Sequence, residues 1–346
     1  MRFPIAIVMV LAVTVVSAAK SAPLPACYVN SQGQLEVNVG SQFGFTDGDV
    51  RAAITVAEAR RCQVYFSPGN YSYSSPLTSN GLKFVGTCVD GAAGPSSLVA
   101  SNPGGSAIWL RGTSPQLVCL KITSPNATAR ASDNNANGVT IDNAQNFVVD
   151  HVLVDRVAGA GIFNGGGDNG RITSNIVRNS LADGIHNTGS ASFVTIAFNQ
   201  VQNAGDDFIA VVSYVVLGSR VHDVSITDNR VSSQPWGRGV TVAGGYNVEI
   251  LRNSIESCFG ACIYIASEPG TYDVDNVQAS SNFVRAPDRS NTHQANVLVW
   301  CGASGRHVAG VSGANNNLDR AQPMIRTVAQ SDCTFGSVTV SGFYGN

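Results

Sequence analysis

Short runs in which apolar and polar residues alternate recur along most of the chain, and this pattern predicts β-strands. The runs VTIAF, VSITD and VEILR are rich in Val and Ile, and Gly, Asn, Asp or Ser separates them. An asparagine recurs beside these runs with differences of 24, 30, 24 and 29 residues, at Asn175, Asn199, Asn229, Asn253 and Asn282. A period of this length holds three short strands and their turns, so the chain is predicted to be a repeat protein built from strands.

The length of the repeat separates the possible architectures. It is too short for a propeller blade of four strands, and it lacks the leucine pattern of a leucine-rich repeat. An all-β fold, a right-handed single-stranded parallel β-helix, fits best, because inward Ile and Val would form a core and turn asparagines would stack into a hydrogen-bonded ladder. Successive coils would lie about 4.8 Å apart, so residues at equivalent positions become neighbours in space.

One such position carries ionisable residues in three consecutive repeats: Asp183, Asp207 and Arg238. Each of them precedes by two residues an apolar residue that we take as equivalent, namely Ile185, Ile209 and Val240. Asp206 adds a third carboxylate. Acids at this range repel one another, so at least one pKa should rise and one proton can be shared. The alternative is that they are ordinary turn aspartates.

Composition agrees with one exported solenoid domain. The chain has 346 residues, of which 44% are hydrophobic and 13% charged, and its net charge of −2 predicts no nucleic-acid partner. Residues 1–19 combine Arg2, an apolar run over residues 5–16 and small residues at the end, which predicts a signal peptide. No later segment approaches the roughly 20 apolar residues that cross a bilayer. We expect a secreted, extracellular monomer with no membrane contact after signal removal.

All eight cysteines follow the signal peptide. An even number in an exported chain favours disulfides over metal ligation. Cys258 and Cys262 are close enough in sequence to bridge locally, and the other pairings stay open. Asn70 and Asn126 begin N-glycosylation sequons, which matter only in a eukaryotic host.

The N-terminal region shows the features of a solenoid cap. Its segment of roughly Asp47 to Arg61 predicts a short helix, because apolar residues recur at helical spacing at Val50, Ala53, Ile54 and Ala57. The segment leads into VYFSPGNY, a strand interrupted at Pro68-Gly69. A cap has a physical purpose, since an open solenoid end exposes core residues and unpaired strand edges.

This order of helix and strand resembles the opening of the pectate-lyase-like β-helix superfamily, in which a short helix caps the coil. The resemblance implies a pectin-lyase-like solenoid with residues 20–64 as the cap segment and residues 65–346 as the β-helix. It implies the fold rather than the reaction, because this fold hosts hydrolases, lyases, epimerases and phage adhesins.

The central repeats LADGI, GDDFIA and GRGVTVAG resemble the corresponding coils of polygalacturonases and of secreted α-1,3-glucanases, and less closely those of dextranases. The resemblance implies an inverting glycoside hydrolase whose catalytic residues are Asp183, Asp206 and Asp207. Asp206 would be the general acid, and the other two would hold and deprotonate the attacking water. Inversion needs a protonated and an ionised carboxyl about 6.5–9.5 Å apart. No metal or other cofactor is expected for this chemistry.

Two departures from polygalacturonases bear on the substrate. Arg238 replaces the His of their GHG motif, and Tyr264-Ile265-Ala266 replaces an Arg-Ile-Lys that would bind a sugar carboxylate. A neutral α-glucan such as α-1,3-glucan is therefore favoured over polygalacturonan. Aromatic side chains stack on sugar rings. We expect the substrate-binding residues to be Arg238, His186, Tyr214, Trp236, Tyr246 and Tyr264, with Phe163 on the other side.

Two other functions stay open. A calcium-dependent polysaccharide lyase or epimerase would place the same aspartates around Ca²⁺ and use Arg238 as its base. A non-catalytic β-helix that binds glycans would keep the fold and the aromatic residues without needing the acids. The sequence determines neither the linkage nor whether cleavage is internal or terminal. The latter depends on whether the loops near Tyr214 and Glu268 close the groove.

Overall fold

The chain forms a parallel β-helix in the computed structural model, which describes residues 26–233, 236–285, 294–319, 325–330 and 332–344. The predicted signal peptide at residues 1–19 lies outside the described residues. In the central coils, each coil contributes one strand to a first sheet and two strands to a second sheet. Among the described residues, no helix is both long enough and apolar enough to cross a membrane.

The first sheet has ten parallel strands within the described part of the chain, and it supports the column of ionisable residues. Its strands are Leu77–Asn80, Ile108–Arg111, Val139–Asp142, Ile162–Gly165, Ile185–Thr188, Ile209–Val212, Val240–Ala243, Ile263–Ser267, Val297–Cys301 and Ile325–Ala329.

The second sheet contains 23 strands over the same described ranges and wraps the rest of the coil. Its strands are Tyr28–Val29, Leu35–Asn38, Gln63–Tyr65, Gly69–Tyr73, Lys83–Val85, Ser96–Ala100, Gln116–Val118, Lys121–Thr123, Val148–Asp150, Leu153–Val157, Asp168–Thr173, Ile176–Ser180, Ser192–Ala197, Gln200–Gln202, His222–Thr227, Arg230–Ser232, Tyr246–Leu251, Ser254–Glu256, Val274–Ser280, Phe283–Arg285, His307–Leu318, Thr334–Phe335 and Val338–Tyr344. Cys88–Val89 and Ala92–Ala93 form a separate antiparallel hairpin. The helices are short apart from the cap: Val39–Gln42, Asp47–Arg60, and 3₁₀ turns at Pro103–Gly105, Asn134–Ala136 and Val215–Leu217.

The register of the first sheet is the one that the repeats predict. Ile185 lies opposite Ile209, and Ile209 lies opposite Val240. All three side chains are fully buried in the core. Because the inward positions are aligned in this way, the residues that precede them by two must also stack from coil to coil.

The predicted asparagine ladder is present between the two strands that each coil gives to the second sheet. The Oδ1 atom of Asn199 accepts both the backbone N–H and the side-chain amide of Asn175, at 3.0 Å each. The amide of Asn199 in turn donates to Ile172 O and to Asn229 Oδ1 at 2.9 Å. The ladder continues past Asn282 to Asn316, which the regular intervals did not predict. Each rung satisfies buried backbone groups and thereby fixes the coil register.

The cap helix runs over Asp47–Arg60, one residue shorter than predicted. A capping box begins it: Thr46 accepts from the Asp49 N–H, and the Asp49 carboxylate accepts from the Thr46 N–H at 2.9 Å. Arg61 ends it in the left-handed conformation. The predicted apolar residues Val50, Ala53, Ile54 and Ala57 are buried in the same core as the strands, so the helix covers the solenoid end.

All eight cysteines are paired, which confirms the expectation of an oxidised chain. The disulfides are Cys27–Cys62, Cys88–Cys119, Cys258–Cys262 and Cys301–Cys333. The local bridge between Cys258 and Cys262 is therefore present. The other three pairings are ones that the sequence left open.

Two loops that follow first-sheet strands are joined to each other. Tyr214 forms an antiparallel bridge with Thr271, and the Val215 N–H donates to Gly270 O at 2.9 Å. The Tyr272 N–H donates to Ser213 O at 3.0 Å. Together the loops form one wall along the ends of the first-sheet strands.

The ladder makes a stability prediction. Asn229→Ala would leave the Asn199 N–H without its buried acceptor and would remove the amide that donates to the Ile196 carbonyl and to Asn253 Oδ1, so we expect a loss of about 2–4 kcal/mol in the free energy of unfolding. Gln202→Ala, on an exposed position of a neighbouring strand, is the control and should change it by less than about 0.5 kcal/mol. Urea titration measures both. Equal, small effects would show that the ladder does not stabilise the coil.

Candidate functional site

Asp183, Asp206 and Asp207 come together where the chain enters two adjacent strands of the first sheet, Ile185–Thr188 and Ile209–Val212. One carboxylate oxygen of each lies within 4.8 Å of the others. This closeness follows from the common register of the two coils. Their chemical roles stay predictions.

Asp207 is the most buried of the three acids, with 6% of its surface exposed. Burial first, and then the charge of Asp183, raise the pKa of Asp207 to about 7 against the opposing positive charge of Arg238. The carboxylate also accepts the Arg238 backbone N–H at 2.7 Å. Asp207 is thus a carboxyl that can carry a proton near neutral pH.

Asp183 is held by a histidine. Its Oδ2 atom lies 2.7 Å from Nδ1 of His186, on the strand that begins two residues later. The His186 ring packs between Phe163, at 5.3 Å between ring centroids, and Tyr214, at 6.5 Å. His186 is therefore buried and fixed in orientation rather than free on the surface, and it orients the Asp183 carboxylate.

Asp206 forms a salt bridge with Arg130, 2.8 Å between its Oδ2 and the guanidinium. Arg130 comes from the loop that precedes the strand Val139–Asp142 and reaches along the column of coils. Sequence analysis missed this residue. A loop of irregular length has no fixed register with the other coils, so the repeat pattern does not predict where Arg130 lies.

Arg238 lies on the other side of the acids in a second charged group. Its guanidinium lies 4.0 Å above the Tyr264 ring and donates to Glu268 at 3.1 Å, and the Tyr264 hydroxyl donates to the same carboxylate at 2.8 Å. Tyr264 is only 2% exposed, so the expectation that it offers an open face to a sugar is wrong. It supports Arg238 instead. The sequence indicated Glu268 only as part of a loop near the groove and not as a partner of Arg238, although strand alternation from Tyr264 places it on the outward side.

The other predicted aromatic residues divide between the site and the rest of the coil. Trp236 is 59% exposed and pairs with Phe259 at 4.8 Å. It precedes Gly237, which packs so closely on the Asp206 backbone that a Cβ there would lie 2.5 Å from a backbone carbon. The backbone next to Trp236 is thus close to Asp206, and the Tyr214 ring stacks on His186, which bonds to Asp183.

Tyr246 lies away from the three acids, so the expectation that it binds substrate beside them is wrong. It begins the second-sheet strand Tyr246–Leu251, where its ring stacks on His222 at 4.7 Å and lies under Arg220 at 4.7 Å. The turn at residues 244 and 245 has already carried the chain off the first sheet.

The carboxylate separation also differs from the expectation. Nearest oxygens within 4.8 Å are closer than the roughly 6.5–9.5 Å expected for an inverting pair of carboxylates. The physical reason is that residues in adjacent coils are one strand spacing apart, and Asp206 and Asp207 are consecutive.

A cavity of about 380 Å³ opens beside Asp183. It lies on the side toward the N-terminal coils, whereas Arg238 lies on the opposite side. Its lining includes Arg130, Phe163, Asp183, His186, Tyr214 and Leu217.

The family described as right handed beta helix region matches residues 137–318, which is more than half of the chain. A search among curated proteins finds no significant match.

Solved structures with a similar fold include the catalytic unit of a thermostable GH87 alpha-1,3-glucanase from Streptomyces thermodiastaticus, at 18% identity and a TM-score of 0.64 over 94% of this chain and 65% of that one. A catalytic domain of GH87 alpha-1,3-glucanase in complex with nigerose is 15% identical, with a TM-score of 0.59 over 92% and 66%. The A-module of a mannuronan C-5 epimerase from Azotobacter vinelandii is 14% identical, with a TM-score of 0.51 over 89% and 99%. The chain spans about two thirds of the glucanase chains, and identities this low show the fold alone.

The raised pKa of Asp207 predicts how stability depends on pH. Between the ordinary value of 3.8 and about 7 the unfolded chain loses this proton before the folded protein does, so stability falls as pH rises. Asp207→Asn stays neutral, and we expect it to be more stable than the wild type at pH 8, by up to about 4 kcal/mol, and nearly equal at pH 4. Urea unfolding at both pH values measures the difference.

The matched control is Asp228→Asn, because a hydrogen bond from Arg252 lowers the pKa of Asp228. Asp228→Asn removes this charged hydrogen bond, so it should lower the free energy of unfolding slightly at pH 8, whereas Asp207→Asn should raise it. A gain from Asp207→Asn that is the same at pH 4 and pH 8 would contradict the raised pKa.

Proposed function

The chain belongs to the right handed beta helix family, and from that premise we propose that it is a glycoside hydrolase that cleaves a polysaccharide at Asp183, Asp206 and Asp207. The observation that carries the proposal is the cluster itself, in which one carboxyl, Asp207, has a pKa raised to about 7. Clustered acids with divided pKa values supply a protonated and an ionised carboxyl together near neutral pH. Folding alone has no use for mutually repelling acids in such an arrangement.

In this proposal Asp206 donates a proton to the glycosidic oxygen while the bond from that oxygen to the anomeric carbon breaks. A water held by Asp183 and Asp207 attacks the same carbon, and Asp183 takes the proton that the water loses. Donation from Asp206 requires that Arg130 leave its carboxylate, since a salt bridge forms only with the ionised acid, and that Asp206 then take up a proton from solvent or share the one on Asp207. A sugar that enters between them would separate the pair.

We propose inversion in spite of the short separation. A retaining enzyme needs an ionised carboxylate that can reach the anomeric carbon. Asp207 is buried and holds a proton near neutral pH, and Asp183 is tied to His186. Neither suits that role as well as it suits holding a water, so a water is the better nucleophile here.

A neutral glycan suits the charges of the site better than a uronate does. The Arg238 guanidinium bonds to Glu268 and is under the charge of Asp207, and Arg130 bonds to Asp206, so the cations already face protein carboxylates. We propose an α-glucan, with α-1,3-glucan first and polygalacturonan as the alternative. The fold similarity to glucanases, one of them in complex with nigerose, supports this order. The four disulfides fit an extracellular protein, and we propose that it is secreted, monomeric and independent of cofactors.

A calcium-dependent lyase or epimerase is the second candidate, because three carboxylate oxygens within 4.8 Å could hold Ca²⁺ and because an epimerase shares the fold. Its base would be Arg238. Burial lowers the pKa of Arg238, but the charges of Asp207, Tyr264 and Glu268 more than offset this, and the pKa is raised overall. A guanidinium held so firmly in its charged form is a poor base.

A screen of polysaccharides tests the proposal. The purified protein should release reducing ends from α-1,3-glucan, or from dextran or polygalacturonate if the linkage differs, without absorbance near 235 nm and without loss on adding EDTA. The first product, followed by proton NMR, should have the inverted anomeric configuration. Alginate and a no-enzyme blank serve as controls. Unsaturated product that disappears with EDTA would establish the lyase, and binding without any cleavage would leave a glycan-binding protein.

A further inference from the structure

The cavity beside Asp183 has walls from two different parts of the chain. On one side lies the loop of Arg130, including Ser132 and Asn134. On the other lies the tip formed by Tyr214, Val216 and Leu217. The floor between them is made of first-sheet coils, with the small side chains of Ala160 and Ala182 beside the rings of Phe163 and His186.

We infer that this cavity is a binding pocket for the end of a glycan chain, and that the protein therefore cleaves from chain ends. The inference rests on the proposed hydrolysis and names its mode of attack. Pockets for small molecules have volumes of about 300–1,000 Å³. At about 380 Å³ the cavity falls at the lower end of this range, which suits one or two sugar rings.

The lining has the chemistry of a sugar site. A sugar ring presents hydroxyls at its edge and C–H groups on its faces. Asp183, Asn134 and Ser132 offer partners for hydroxyls, while the Tyr214 ring and the Leu217 side chain offer apolar contact. Asp183 belongs both to this lining and to the acid cluster, so a sugar in the pocket has its linkage at the reacting carboxylates.

The walls are held in place. The tip is anchored through the bridge between Tyr214 and Thr271 and the hydrogen bond from Val215 N–H to Gly270 O, so it moves only with the second loop. Arg130 bonds to Asp206 at the boundary between the pocket and the acids until a sugar enters between them. The Arg130 loop and the tip thus bound the pocket on two sides, and a chain end that enters it contacts both.

The action pattern tests the inference. On the polysaccharide that the screen identifies, the wild type should release one short product, a mono- or disaccharide, from the first minutes, while the viscosity of the solution falls slowly for each bond cleaved. A broad ladder of oligosaccharides with a steep early fall in viscosity would overturn the chain-end pocket and leave the proposed hydrolysis intact.

Leu217→Ala tests the wall itself. Leu217 is 50% exposed, so its truncation should not affect folding. We expect the fall in viscosity per bond cleaved to rise several-fold and longer products to appear. Leu35→Ala is the matched control, with 44% exposure on the N-terminal strand Leu35–Asn38, and should behave as the wild type. An unchanged product pattern in Leu217→Ala would contradict the role of Leu217 in bounding the pocket.

Binding separates failure of the pocket from failure of the hydrolase. Calorimetry on Asp206→Asn, which should not turn over, compares an α-1,3-linked glucose disaccharide with the tetrasaccharide. We expect both to bind, and we expect Leu217→Ala in this background to weaken the disaccharide about tenfold. If the disaccharide binds in this way but the wild type cleaves no substrate, the pocket is supported and the proposed hydrolysis is wrong. If the wild type cleaves but the disaccharide does not bind, the hydrolysis is supported and the pocket is wrong.

Discussion

Parallel pairing between adjacent coils is the constraint on which the rest of this structure depends. It sets equivalent residues about 4.8 Å apart, so that Asp183 and Asp207 meet although 24 residues separate them. A slip of one residue would turn the inward Ile185 and Ile209 to solvent and scatter the acids. The asparagine ladder opposes such a slip on the second sheet, since each rung bonds to backbone groups of the neighbouring coils. Fold and site are therefore held by the same register.

That rigidity lets the coil tolerate an unfavourable group of charges. Burial and the charge of Asp183 both disfavour ionisation of Asp207, and the cost falls on the stability of the whole solenoid. The surrounding residues divide the cluster into distinct environments. Asp183 is bound to a buried histidine, Asp206 to an exposed arginine, and Asp207 to a backbone N–H in a nearly dry position. Three chemically identical side chains can thus take three different roles.

The repeat predicted the coil, the ladder and the meeting of the aspartates, and the helical spacing of apolar residues predicted the cap helix. Residues outside the regular intervals were not predictable. Arg130 lies in a loop and Asn316 in the strand His307–Leu318, and no period indicates either of them. Alternation correctly turned Tyr264 outward, but Arg238 and Trp300 cover its ring, and a pattern of polarity does not contain that information. Tyr246 was misplaced because a turn at residues 244 and 245 moves it to another sheet.

The proton-donating role of Asp206 is the central claim, and Asp206→Asn tests it most directly when two substrates are compared. On the natural polysaccharide, turnover should fall by at least the 10²–10⁴ that is typical of general acid catalysis. On a substrate with an activated leaving group, which needs little protonation, much of the rate should return, whereas Asp183→Asn should not be rescued because it lacks the base. Undiminished turnover of the natural polysaccharide by Asp206→Asn would contradict the account.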